Sequence, residues 1–294
     1  MSRVRLRAGD LSLELAPEVG GAIARYDLHR GDAVHPLMRP APEEEFTDAV
    51  QGACFPLVPY SNRVRDGVFS FRGREVTIAP NMPPQPHPLH GVGWRGAWTV
   101  EAQTDASATL AFSWPGGEWP WAFEARQTVT LDEAGLSVTL AVQNAAIRAM
   151  PAGLGLHPFY PCPPGTVLDA AVREVFAVDG ALFPTGREPA TRRYALVDRA
   201  ISGAGLDNGY GGWDGEATIR WPDGLGLRIS SAVSWFQVYA PPDQPVLAAE
   251  PVTHANGALN APESEQAALG LRVLEPSERL ELTARFDPIR GSGR

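Results

Sequence analysis

Proline recurs about every ten residues along this chain, 28 times in 294 positions, and glycine occurs 30 times. A proline inside a helix costs roughly 3 kcal/mol, because it removes a backbone donor and its ring strikes the preceding turn. Long helices are therefore excluded, and many short strands joined by turns remain as the route to a buried core. The apolar spacing agrees. Phe123, Ala125, Val129 and Leu131 lie on one face of an alternating pattern, and the turn Asp132-Glu-Ala-Gly135 follows. Leu136, Val138, Leu140 and Val142 then resume the alternation. This is the signature of a hairpin with one buried face.

The same alternation marks Leu11, Leu13 and Leu15 ahead of Pro17 and Gly20-Gly21. Phe69 and Phe71 lead through Arg72-Gly73-Arg74 to Val76 and Ile78. Leu110, Phe112 and Trp114 form another strand, as do Leu280, Leu282, Ala284 and Phe286. Ile219 and Trp221, then Leu225, Leu227 and Ile229, flank a turn at Pro222-Asp-Gly224. Trp235–Tyr239 reads as a more fully buried strand, and a single short helix is expected over Pro262–Ala268, where Glu263 and Glu265 suit a helix N-terminus. Strand signals run evenly from end to end, without repeat, low-complexity tract or linker. The expected architecture is all-β, one large antiparallel β-sandwich domain over residues 1–294. A sandwich of this size offers a concave sheet face suited to a ring-shaped polar ligand.

Hydrophobic residues make up 44% and charged residues 20%, in keeping with a real core. A net charge of −9 repels nucleic acid. The one basic enrichment, Arg187, Arg192 and Arg193, is broken by Glu188 and Pro189 and reads as a solvated loop. Two cysteines, Cys54 and Cys162, build neither a disulfide framework nor a zinc spacing. The N-terminal MSRVRLRAGDLSLEL scatters its charges and lacks the apolar stretch of a secretory signal. No run approaches the roughly 18–20 apolar residues of a membrane span. The expected setting is the cytoplasm, with reduced thiols and no membrane or nucleic-acid partner.

Four segments carry polar residues that packing alone does not explain. In Pro59-Tyr-Ser-Asn-Arg-Val-Arg-Asp-Gly67, Arg63 sits in a turn-rich stretch. Its planar fork of donors suits hydroxyls or a carboxylate, the alternative being a surface arginine that closes a turn. In Pro86-His-Pro-Leu-His-Gly-Val-Gly-Trp94, His87 and His90 are three apart, but Pro86 and Pro88 forbid the helix that a metal pair needs and no third ligand is near. His87 reads as solvated, whereas His90 stands before a glycine where a ligand can approach. In Gly153-Leu-Gly-Leu-His-Pro-Phe-Tyr-Pro161, an apolar strand ends in His157 before a proline, as a poised imidazole or as a core histidine bonded to backbone. In Val246-Leu-Ala-Ala-Glu-Pro-Val-Thr253, Glu250 closes an apolar run. A carboxylate there is costly unless bonded or used, the alternative being an exposed strand end.

Taken in order, the motifs resemble the aldose 1-epimerase (galactose mutarotase) family over nearly the whole chain. They are Asn62-Arg63 before a Gly-Phe hairpin, His90-Gly91 followed by Trp98, and Trp119-Pro120-Trp121 ahead of a long hairpin. Gly155-Leu-His-Pro-Phe159 and Glu250-Pro-Val-Thr253, with a following Asn-Ala, complete the set. The resemblance implies a galactose mutarotase-like supersandwich, no metal, no cofactor, and a small-molecule sugar substrate; a monomer and a homodimer both stay open. By the same resemblance Glu250 is the general base and His157 the general acid. His90 and Arg63 position the substrate, and Asp207 in Gly205-Leu-Asp-Asn-Gly-Tyr210 binds sugar hydroxyls. Gly91-Val-Gly-Trp94 and the His157-Pro158 context depart from the best-known galactose mutarotases and leave the sugar open. Trp94, Phe159, Tyr160 and Trp235 are candidates to stack on a sugar ring.

Three rival activities remain. A hexose-6-phosphate or acidic-hexose epimerase needs arginines converging on an anion, for which Arg63, Arg65 and Arg95 are available. A non-catalytic sugar sensor tolerates loss of Glu250 or His157, and both are present. A glycoside hydrolase or lyase needs a second carboxylate beside Glu250, with Asp207 the one candidate.

Overall fold

The computed structural model describes residues 3–291. They form an 11-stranded and a nine-stranded antiparallel sheet, accompanied by two two-stranded pairs. The hairpin Phe123–Leu131/Leu136–Asn144 has the expected register, Leu131 opposite Leu136. The Asp132 carboxylate fixes its turn by accepting from the Ala134 and Gly135 amides at 2.8 Å. The short helix runs Glu263–Gln266 with both glutamates in its first turn, inside the expected range.

The larger sheet positions the cleft described below. Its central strands lie side by side in the order Cys54–Leu57, Gly155–Pro161, Val246–Val252, Trp235–Ala240 and Leu206–Gly211. Alternation sends Leu156, Tyr160, Phe236, Val238, Leu247 and Ala249 into the core shared with the nine-stranded sheet. The Leu, Val and Phe side chains among them contribute about 1.5–3 kcal/mol each when fully buried. Polar bonds also tie the sheets together: the Tyr26 hydroxyl donates to the Phe286 carbonyl at 2.9 Å, and Gln127 Nε2 to the Gly21 carbonyl at 2.7 Å. The opposite face of the larger sheet carries a second cluster that includes Phe55, Leu57, Phe159, Val246, Ala248 and Val252.

Three local expectations need correction. His157 and Glu250 do not end their strands, which continue through Pro158 to Pro161 and through Pro251 to Val252. Proline's fixed φ is compatible with an extended strand and forfeits only one ladder bond there. Trp235–Ala240 is not buried throughout, since Trp235 and Tyr239 are half-exposed on the second face. Arg187 lies in the Pro184–Pro189 strand at the end of the larger sheet's strand order, rather than in a loop.

Candidate active site

A cleft of about 260 Å³ opens on the second face of the larger sheet, and Glu250, His157, His90, Arg63 and Asp207 all line it. Its floor is a row of side chains running across the strands. The register that sets Gly155 against Val252 and Phe159 against Ala248 places His157 opposite Glu250. On the flanking strands Phe55 stands opposite His157, and Gln237 opposite Glu250. Gly209 faces Gln237 one strand further on, where a Cβ would sit 3.3 Å from the amide oxygen. Five adjacent strands thus deliver one line of chemistry.

Glu250 Oε1 lies 3.4 Å from His157 Nε2. Both residues are buried, and Glu250 Oε2 and His157 Nδ1 have no hydrogen-bond partner among the described residues. Burial, reinforced by the nearby Asp207 charge, pushes the Glu250 carboxyl well above the usual carboxylate range, against the pull of Arg63. Burial also lowers the His157 imidazole, helped by the Arg39 and Arg63 charges. Both shifts favour a neutral pair that holds one proton. The His157 ring is clamped by Phe55, stacked at 4.6 Å between centroids, and by Phe159 at 4.5 Å.

Two loops roof the row. Val58 bridges Gly91 and Arg63 bridges Leu89, while the buried Asn81 amide donates to the Leu89 and Gly91 carbonyls at 2.8 Å. Gly91 has φ +70°, and a Cβ there would meet the Val58 oxygen at 2.1 Å, so this crossing requires glycine. His90 Nδ1 accepts from the Asn62 amide at 3.0 Å. Its proton is therefore on Nε2, and burial, helped by the Arg63 charge, holds the ring neutral. The Asn62 side-chain oxygen accepts from the Arg63 amide at 2.8 Å and from its Nη1 at 3.4 Å, which orients the guanidinium. Arg63 Nη2 lies 3.9 Å from Asp207, and Gln237 Nε2 donates to the other Asp207 oxygen at 2.8 Å. Burial raises the Asp207 carboxyl, and Arg63 and Gln237 oppose that rise.

Other expected residues lie elsewhere. Arg65 pairs with Asp179 at 2.8 Å and Arg95 pairs with Glu118. Of the three arginines considered from the sequence, only Arg63 lines the cleft. His87 is not solvated: just 12% of its side chain is exposed, its Nδ1 accepts from the Asp66 amide at 3.0 Å, and it packs edge-on against Phe183. Among the stacking candidates Trp94 and Phe159 line the cleft. Tyr160 falls on the core face by alternation, and Trp235 packs on Phe176.

The sequence reading missed three participants. Gln237 occupies an alternate position of an apolar strand, a signal that was present. Arg39, also on the cleft wall, comes from a stretch without motif. His254 accepts from the Ser61 amide at 3.1 Å through Nε2 and bonds the Ala255 carbonyl at 2.8 Å through Nδ1, anchoring the loop that carries Asn62 and Arg63.

The aldose 1-epimerase family model matches residues 2–287. The chain belongs to the aldose 1-epimerase family. Escherichia coli K12 YphB, an uncharacterised protein, is 31% identical over 228 residues, covering 76% of this chain and 74% of its own. YihR of the same organism, likewise uncharacterised, is 28% identical over 274 residues, covering 88% and 86%. A crystal structure from E. coli K12, provisionally named as an aldose 1-epimerase, superposes with a TM-score of 0.86 at 26% identity, covering 98% of this chain and 99% of that one. A galactose mutarotase-like protein from Clostridium acetobutylicum shares the fold, with a TM-score of 0.84 at 16% identity and coverage of 98% and 95%. The epimerase sandwich is thus the fold of this chain. Among the described residues no helix is long and apolar enough to cross a membrane.

Proposed function

We propose that this family member interconverts the α and β anomers of a hexose by general acid–base catalysis, with Glu250 and His157 as the proton-handling pair. The observation that carries the reading is their contact on the cleft floor, 3.4 Å apart, buried, each with a further atom that has no partner among the described residues. Buried ionisable groups left unsatisfied are costly to folding, and a substrate's hydroxyls are the natural complement.

Anomerisation removes the proton from the C1 hydroxyl and delivers one to the ring oxygen. The C1–O5 bond then breaks to give the open aldehyde, rotation about C1–C2 presents the other carbonyl face, and closure reverses both transfers. The pair needs one proton in total, and its two members exchange protonation states at each step. In the free protein burial keeps that proton on Glu250 beside a neutral imidazole. Its transfer across the contact yields a carboxylate as base and an imidazolium as acid. Each role contributes about 10²–10⁴-fold. His90 Nε2–H and Arg63 donate to sugar oxygens, Asp207 accepts from sugar hydroxyls, and Trp94 or Phe159 offers an apolar face to the ring. No covalent intermediate is required.

The test is NMR magnetisation exchange between α and β anomeric protons over a panel of equilibrated sugars. Enzyme-dependent exchange that vanishes in Glu250→Gln and falls steeply in His157→Ala supports the reading. Exchange at the wild-type rate in Glu250→Gln removes Glu250 from the role.

A further inference from the structure

Within the cleft, one cation has no acidic partner among the described residues. Arg63 faces Asp207, and Glu250 with His157 forms the neutral pair, whereas Arg39 makes no ion pair among the described residues and its charge is felt by Tyr239 and His157. Its Nη2 donates to the Val50 and Gly52 carbonyls at 2.6 and 2.8 Å, which fixes the guanidinium without neutralising it. Its Nε is buried without an acceptor among the described residues. Burial brings its pKa down only to about 10, so the group is charged at neutral pH. A half-buried cation lacking a counter-ion is costly to keep, and an anion on the ligand reduces that cost.

The place of this charge selects a position on the sugar. The Arg39 guanidinium lies 3.9 Å from the centroid of Phe159, whose ring lies 4.5 Å from the His157 imidazole. One aromatic ring thus separates the lone cation from the group assigned above to protonate the ring oxygen. In a hexopyranose the exocyclic group nearest that oxygen, apart from the anomeric hydroxyl, is the one on C6. We infer that the substrate is a hexose bearing an anionic group on C6, and that Arg39 binds this group through N–H donors its two carbonyl partners leave unused. The placement on C6 rests on the acid–base reading of the same cleft, while the requirement for an anion does not.

The experiment is calorimetric titration of wild-type protein and Arg39→Gln with glucose, galactose and their 6-carboxylate, 6-sulfonate and 6-phosphate counterparts, alongside anomer exchange on each. A charge-assisted contact of this kind makes at least one anionic sugar bind wild type about tenfold or more tighter than its neutral parent. Arg39→Gln collapses that ratio towards one and Arg39→Lys retains part of it, with thermal unfolding confirming that both variants fold. The anion preferred among the three identifies the acid group. Neutral sugars bound as tightly as every anionic one, or a ratio unchanged in Arg39→Gln, overturns the inference and leaves Arg39 as a tie to the Val50–Gly52 loop. Exchange of neutral sugars alone overturns it while sustaining the acid–base reading. An Arg39-dependent anion preference without any exchange does the reverse.

Discussion

Gln237 stands opposite Glu250 on the neighbouring strand, and its amide donates to Asp207 at 2.8 Å, so one neutral side chain joins the row that holds Glu250 and His157 to the carboxylate beside it. Gln237→Leu removes the bond that helps keep Asp207 ionised. The expected result is an increase in KM of about tenfold, the value of roughly 1–1.5 kcal/mol for a lost hydrogen bond, with kcat changed far less. The acid limb of kcat/KM moves to higher pH, because the Asp207 carboxyl rises further. A fall confined to kcat makes Gln237 part of the proton pathway instead.

Glu250→Gln separates activity from stability. Anomer exchange falls by at least about 10²-fold, the scale of one acid–base role. Because the folded-state pKa of Glu250 is raised, its contribution to stability is complete below about pH 4.5 and declines as pH climbs towards the folded-state value. The neutral amide has no such decline. Melting curves from pH 5 to 8 are expected to show the variant gaining on wild type as pH rises; parallel curves contradict the assignment.

His254 gives the opposite pH response. Burial lowers its pKa from 6.5 to about 4. Its contribution is complete above pH 6.5 and is lost as pH falls through that window, by about 3 kcal/mol in all, because the unfolded chain takes up the proton first. His254→Gln should flatten this part of the acid-stability profile, measured by denaturant titration between pH 7 and 4. It also leaves the Ser61 amide or the Ala255 carbonyl poorly paired, at a cost of about 1–3 kcal/mol at pH 7.

Gly91→Ala tests the roof. With φ +70° and a Cβ placed 2.1 Å from the Val58 oxygen, the loop crossing cannot persist unchanged. The expected loss is about 2–4 kcal/mol, read as a lower unfolding midpoint, with weakened sugar binding because His90 is the adjacent residue. Unaltered binding and stability would show the roof to be far more pliant than this geometry allows.

Periodicity and punctuation carried most of the fold: the Phe123–Leu131/Leu136–Asn144 hairpin and the small helix stand where alternation and proline placed them. The same rules misread Pro158 and Pro251 as strand ends: proline is normally kept out of central strands because it lacks a ladder donor, yet here each lies within one. Glu250 and His157 were legible as polar residues in apolar surroundings. Their opposition was not, since register between strands about ninety residues apart depends on tertiary pairing. Arg39 escaped because a lone arginine acquires meaning only when its surroundings show which charges lie beside it.

The division of each central strand between two faces has an evolutionary consequence. At positions 155–161, 235–240 and 246–252, neighbouring codons answer to different selections, one for packing and the next for chemistry. A lineage can therefore drift to a new sugar by changing alternate residues while the sandwich beneath remains intact. Variant libraries restricted to the cleft-facing set offer the shortest experimental path between specificities.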